Sequence, residues 1–153
     1  MDGCRTRRRF LGSFSAGSIA LLAGCSGVEA PSPPPANAKP KALVPDPPAD
    51  LSFDEYVPQV WTGQYDRLEA AIAAVYHDES GNPYSINVSR YASPSAAEDV
   101  GWDAIGTGGW DIYVVNGNFG FAADGDDQAI VKEFLSNSSY LTEEYVSSTN
   151  MVG

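Results

Sequence analysis

Past residue 50 the apolar positions fall into short periodic runs. Glu69 to Tyr76 carries Ile72, Ala74 and Tyr76 on one side and predicts a strand, although Leu68, Ile72 and Val75 also fit a helical period. Asp78-Glu79-Ser80-Gly81-Asn82-Pro83 is dense in turn-forming residues. Tyr84 to Tyr91 predicts the next strand, with Tyr84, Ile86 and Val88 alternating against Ser85, Asn87 and Ser89. Ser93-Pro94 pairs a capping hydroxyl with a proline at the first helical position, and opens a helix with Ala96, Ala97, Val100, Ala104 and Ile105 inward. Gly106, Gly108 and Gly109 end that helix.

The order then recurs. Trp110 to Val115 predicts a strand, Asn116-Gly117 a tight hairpin turn and Asn118 to Ala123 the returning strand. Asp124-Gly125-Asp126-Asp127 leads into a helix whose Ile130, Val131, Phe134 and Leu135 form one apolar stripe. The aspartates suit the positive end of that helix. Thr142, Glu143, Glu144 and Tyr145 start a last short turn. The expectation is an α+β domain: a small antiparallel sheet of about four strands, strand-strand-helix repeated twice, with helices packed on one face. Only the order of elements repeats, not the residues.

Residues 26 to 50 differ sharply. They hold eight of the 11 prolines and no aromatic residue. Such a stretch favours polyproline II and offers no evident packed face. It reads as a disordered spacer that could extend to roughly 78 Å at about 3.1 Å per residue. A ligand for an SH3-like module is the competing reading. The chain therefore divides into residues 1–24, 25–50 and a single acidic domain over 51–153.

Residues 1–24 read as an export signal. The cationic stretch Arg5-Thr6-Arg7-Arg8-Arg9 precedes a mildly apolar run from Phe10 to Ala23. That run is about 14 residues, short of the roughly 20 that a transmembrane helix needs. Arg7, Arg8, Phe10 and Leu11 resemble the twin-arginine signal, which is read by a translocase carrying folded cargo. Leu22, Ala23, Gly24 and Cys25 look like a lipobox, in which the Cys25 thiol receives a lipid and becomes the new N-terminus. A soluble basic tail, or a signal cleaved to release the protein, are the alternatives. Cys4 would leave with the signal and Cys25 would carry lipid, so neither is available for a disulfide or a metal.

Together with Ser89 to Ser93 (Ser-Arg-Tyr-Ala-Ser) and Asn116 to Ala123 (Asn-Gly-Asn-Phe-Gly-Phe-Ala-Ala), the signal and the acidity make the chain similar to small exported lipoproteins of halophilic archaea. The resemblance implies anchoring to the outer side of the cell membrane and implies no activity.

Charge sharpens the division. The chain has 20 acidic against nine basic residues, a net charge of −11. Without the first 24 residues, five cations stand against 19 acids, a balance of −14. That surface argues against nucleic acid as a partner. It reads instead as adaptation to a saline solvent, where molar salt shortens the screening length to about 3 Å. Structure is expected to be lost on dialysis to millimolar salt, read as a fall in melting temperature.

The candidate chemistry is sparse. His77, the single histidine, adjoins Asp78-Glu79 and is a candidate base or metal ligand, but it reads more simply as a surface residue at a strand end. Asp124-Gly125-Asp126-Asp127 offers oxygens to calcium but lacks EF-hand spacing, which favours helix capping. Gly106-Thr107-Gly108-Gly109 precedes a strand, whereas a phosphate cradle opens a helix. Trp61, Trp102 and Trp110 could stack sugars or fill a core. Asn87 and Asn137 each begin an N-glycosylation pattern. No cofactor is implied. The functional expectation is a lipid-anchored, extracytoplasmic, non-catalytic binding or accessory module. It would contact membrane lipid through Cys25, the twin-arginine translocase during export, and an unidentified protein partner. A small carboxylate-based hydrolase and a purely structural surface protein are the alternatives.

Overall fold

A computed structural model describes residues 28–58, 67–99 and 109–148. Five antiparallel strands form one sheet in the order β1-β2-β3-β5-β4. They are β1 (Ser52–Pro58), β2 (Leu68–His77), β3 (Pro83–Tyr91), β4 (Ile112–Asn116) and β5 (Phe119–Gly125). A helix over residues 94–99 (α1) follows β3, and α2 (Gln128–Ser136) and α3 (Glu143–Ser148) follow β5. The class is mixed α+β, as the sequence pattern predicts.

Pairing decides the ambiguous segment. Residues 68–77 are a strand because every second side chain finds an apolar partner on β3: Ile72 opposite Val88, Ala74 opposite Ile86, Tyr76 opposite Tyr84. A helix over the same residues would scatter those side chains around its axis. The β4–β5 hairpin turns at Gly117-Asn118, one residue later than the expected Asn116-Gly117, because Asn116 still pairs with Phe119; Gly117 has φ 60°, a left-handed conformation that favours glycine. Ser93 caps α1, its Oγ accepting from the Ala96 amide at 3.2 Å, and Asp127 caps α2, its Oδ1 accepting from the Ala129 amide at 2.8 Å. Val100, Ala104 and Ile105, expected on α1, lie outside the described residues.

Three features depart from the expectation. The sheet has five strands, because Ser52–Pro58 pairs along the outer edge of β2. Its side chains are all exposed, so burial leaves no alternating pattern in the sequence. The helices do not all share a face. Cross-strand partners share one side of a sheet, which places Ile86, Val88, Phe119, Phe121, Ile112 and Val114 on the same side as α2 and α3. Alternation turns Tyr113 and Tyr91 the other way, where Leu68 and Tyr91 pack with Ala96 and Ala97 of α1.

The third departure is the largest. Residues 28–50, expected as part of a disordered spacer, form a strap across the first face. Asn116 donates from Nδ2 to the carbonyls of Pro31 at 3.0 Å and Tyr140 at 2.9 Å, and Asn118 donates to the Ala36 carbonyl at 3.1 Å. Arg90 then holds the Ala38 carbonyl at 3.1 Å. A 3-10 turn, Pro40–Leu43, crosses β3 and β2 and buries Pro40 and Leu43. Lys41 reaches the Tyr56 ring of β1, 4.4 Å from its centre. Pro34, Pro45, Pro48 and Leu51 are also buried. Proline is itself an apolar plate with little conformational entropy left to lose, so a proline-rich strand suits a groove that offers few backbone partners.

An aromatic series ties the outer edge to this core. Tyr56 and Phe53 of β1 lie 4.7 Å apart, Phe53 meets Tyr76 edge-on at 5.5 Å, and Tyr76 meets Phe134 of α2 edge-on at 4.9 Å. Among the described residues no helix is long and apolar enough to cross a membrane.

Candidate functional site

The second face of the sheet is where polar chemistry collects. Along β3 the side chains turned this way are Ser85, Asn87 and Ser89. Asn87 sits between Ala73 of β2 and Ala122 of β5, and Ser89 between Ala71 and Gly120. Small neighbours make the floor shallow. At Gly120 a Cβ would collide with the Tyr113 hydroxyl, so the missing side chain is what lets the Tyr113 ring lie across the strand. That hydroxyl donates to the Ala97 carbonyl at 3.0 Å and approaches the Tyr91 hydroxyl at 3.4 Å. Burial holds the Tyr113 phenol well above its ordinary pKa, with the neighbouring Tyr91 acting in the same direction.

Toward the other end of the same face stand Asp111 and Asp124. Asp111 precedes β4 and accepts from the Gly125 amide through Oδ2 at 3.2 Å. Burial, and after it the charge of Asp111, raise the Asp124 carboxyl to a pKa of about 6. Two buried atoms on this face have no partner, Asn87 Nδ2 and Asp124 Oδ1. Asn87 is 3% exposed, and its own Oδ1 accepts from Ser89 Oγ at 2.6 Å. Asn87 pairs with Ala122 and Asp124 is two residues further on, a diagonal separation of about 7–8 Å on one face. The arrangement therefore offers one unpaired donor, one unpaired acceptor and a carboxyl that changes charge near pH 6. Its chemistry is polar recognition or proton uptake. It contains no nucleophile held against a base.

The sequence-derived candidates are dispersed over the molecule. Arg7, Arg8, Phe10, Leu11, Leu22, Ala23, Gly24 and Cys25 lie outside the described residues, as do Trp61, Trp102 and Gly106 to Gly108. Asn87, the first of the two N-glycosylation patterns, is mid-sheet and buried, where a folded domain has no room for a glycan. Asn137 is exposed just past α2 and donates from Nδ2 to the Asp46 carbonyl at 3.0 Å. His77 ends β2 with Nδ1 3.6 Å from Asp54 Oδ2, both partly exposed. The neighbouring Asp78 organises its own turn: it accepts from the Asn82 side chain and from the Asn82 and Ser80 amides, each at 2.9 Å. Those bonds, the Asn82 side chain first, lower the Asp78 pKa. Among the described residues no group of three His, Cys, Asp or Glu side chains could hold a metal.

The Asp111–Asp124 pair and the orphaned Asn87 amide had no recognisable signature. Ser85, Asn87 and Ser89 read from the sequence as an ordinary solvent side, and only the fold shows that Asn87 and Ser89 are buried. Comparison with known proteins gives no match to a family model, a curated protein or a solved structure.

Proposed function

We propose that this chain is a lipoprotein exported by the twin-arginine route and anchored through Cys25 on the outer side of the cell membrane, where its domain serves as a non-catalytic binding or accessory module. The observation that carries the reading is the order of motifs, Arg7-Arg8-Arg9-Phe10-Leu11 followed by Leu22-Ala23-Gly24-Cys25. The acidic balance of the remaining chain supports a saline exterior of the kind that halophilic archaea occupy. The protein partner of such a module belongs to the same proposal. So does the finer description of the fold as two strand-strand-helix units, β2-β3-α1 and β4-β5-α2, to which β1 and α3 are added.

The test is direct. Cys25→Ser is expected to abolish lipid labelling and shift the protein from the membrane to the soluble fraction; unchanged retention and labelling overturn the anchor. Arg7→Lys with Arg8→Lys is expected to stop export, and secretion at the normal rate overturns the twin-arginine assignment. A second reading, a small carboxylate-based enzyme, is favoured by one observation, the raised Asp124 carboxyl beside Asp111. Turnover in a hydrolase screen that Asp124→Asn abolishes would establish it over the first.

A further inference from the structure

We infer that the lipid anchor holds the domain with its β4–β5 turn toward the membrane headgroups and its acidic end pointing outward. The inference rests on the reading of Cys25 as the lipidated residue. Only Ser26 and Gly27 separate Cys25 from Val28, which packs against the hydrophobic core. At a maximum of about 3.6 Å per residue, Val28 lies within roughly 11 Å of the Cys25 backbone and Pro31 within roughly 22 Å. Pro31 is fixed in turn, because Asn116 at the start of the β4–β5 turn donates to its carbonyl at 3.0 Å. Pro33 sits against the same turn, where a Cβ on Gly117 would come within 2.8 Å of the proline Cβ. The strap therefore leads the lipid to one particular end of the sheet. A spacer of the expected kind would leave the domain free to tumble.

The two ends differ in charge. At the far end, about 20 Å further along β5 at roughly 3.4 Å per residue, the β2–β3 turn carries Asp78 and Glu79, and Asp124, Asp126 and Asp127 close β5 beside Asp111. No Lys or Arg occurs in residues 77–83, 109–112 or 124–127. The near end holds Arg90, bound to Glu69 at 3.1 Å, and Arg67, 3.5 Å from Asp99. Of the exposed strap residues at that end, Ser32, Pro33, Pro35, Ala36 and Asn37 are uncharged, and they are flanked by Glu29 and Lys39, one of each sign. Anionic headgroups repel the end that holds no cation more than the end where Arg67, Arg90 and Lys39 offset the acids, so electrostatics and the short leash favour the same orientation. In molar salt the repulsion is screened within about 3 Å and the leash alone sets the geometry.

The experiment uses full-length lipidated protein in phosphatidylglycerol vesicles containing a headgroup quencher. Ala36→Cys and Glu79→Cys each receive a fluorophore; Ser32→Cys and Ser80→Cys provide an independent pair at the same two ends. All four positions are exposed. The near-end labels are expected to be quenched at least threefold more than the far-end labels in molar salt, the condition in which the acidic domain is expected to stay folded. Equal quenching at the two ends, with the protein floating on the vesicles, overturns the orientation and leaves the anchor standing. Failure to float overturns the anchor and the orientation together.

Discussion

On the strap face Ile86, Val88, Phe119 and Phe121 stand side by side under α2, α3 and the proline-rich segment, all of them fully buried. On the other face the same two strands present Asn87, Ser89, Gly120 and Ala122, which are just as inaccessible but small or polar. Burial alone is thus a poor guide to where the stability lies. The first face excludes water from large apolar surface, whereas the second buries amide and carboxyl atoms that receive no compensating bond.

That contrast can be broken experimentally at four points. Phe121→Ala empties a fully buried position of the strap face and is expected to lower stability by about 3–5 kcal/mol, read from the urea midpoint in molar salt. A loss under 1 kcal/mol would mean that the face is loosely packed. Leu43→Ala tests whether the strap belongs to this core. A loss of about 2–3 kcal/mol is expected, while no change would return the strap to the status of a spacer.

The polar face should behave in the opposite sense. The Asp124 carboxyl has a folded pKa of about 6, above its ordinary 3.8, so between those values the folded state binds more protons than the unfolded chain. Its contribution therefore improves as pH falls from 7 toward 4, and is unfavourable above 6. Asp124→Asn is expected to raise stability at pH 7 by about 1 kcal/mol, since solvent screens a half-buried group, and to have no such effect at pH 4. An unchanged pH slope in the variant would remove Asp124 from the account. The smallest effect belongs to Asn87→Leu, which removes the unpartnered Nδ2 together with the single bond that Oδ1 accepts from Ser89, and puts an apolar group of similar shape in their place. Stability is expected to stay within about 1 kcal/mol of the parent; a larger loss than Ser89→Ala alone produces would show that Nδ2 is satisfied.

Much of this frame was legible in the residues. Tyr84 to Tyr91, the β4–β5 hairpin, the Ser93 cap and the apolar stripe of α2 all declare themselves through local periodicity and turn chemistry. β1 does not, because an edge strand exposed on both faces need not alternate. The strap was hidden for a different reason. Its contacts are made by prolines and by backbone carbonyls, and neither produces a hydrophobic period. Asn116 and Asn118, which grip those carbonyls, look in sequence like nothing more than turn formers. The polar face was obscured because alternation tells which residues share a side and not what covers that side.

The strap also sets an order of events. Pro31 and Ala36 emerge from the ribosome before the asparagines that hold them, which follow 85 and 82 residues later. Closing so long a loop costs entropy that only a formed hairpin can repay, so the strap seats after β4 and β5 have paired. The segment nearest the N-terminus is in this way among the last to find its place. A chain cut short before residue 116 would carry every residue of the strap and lack both asparagines that fasten its first half.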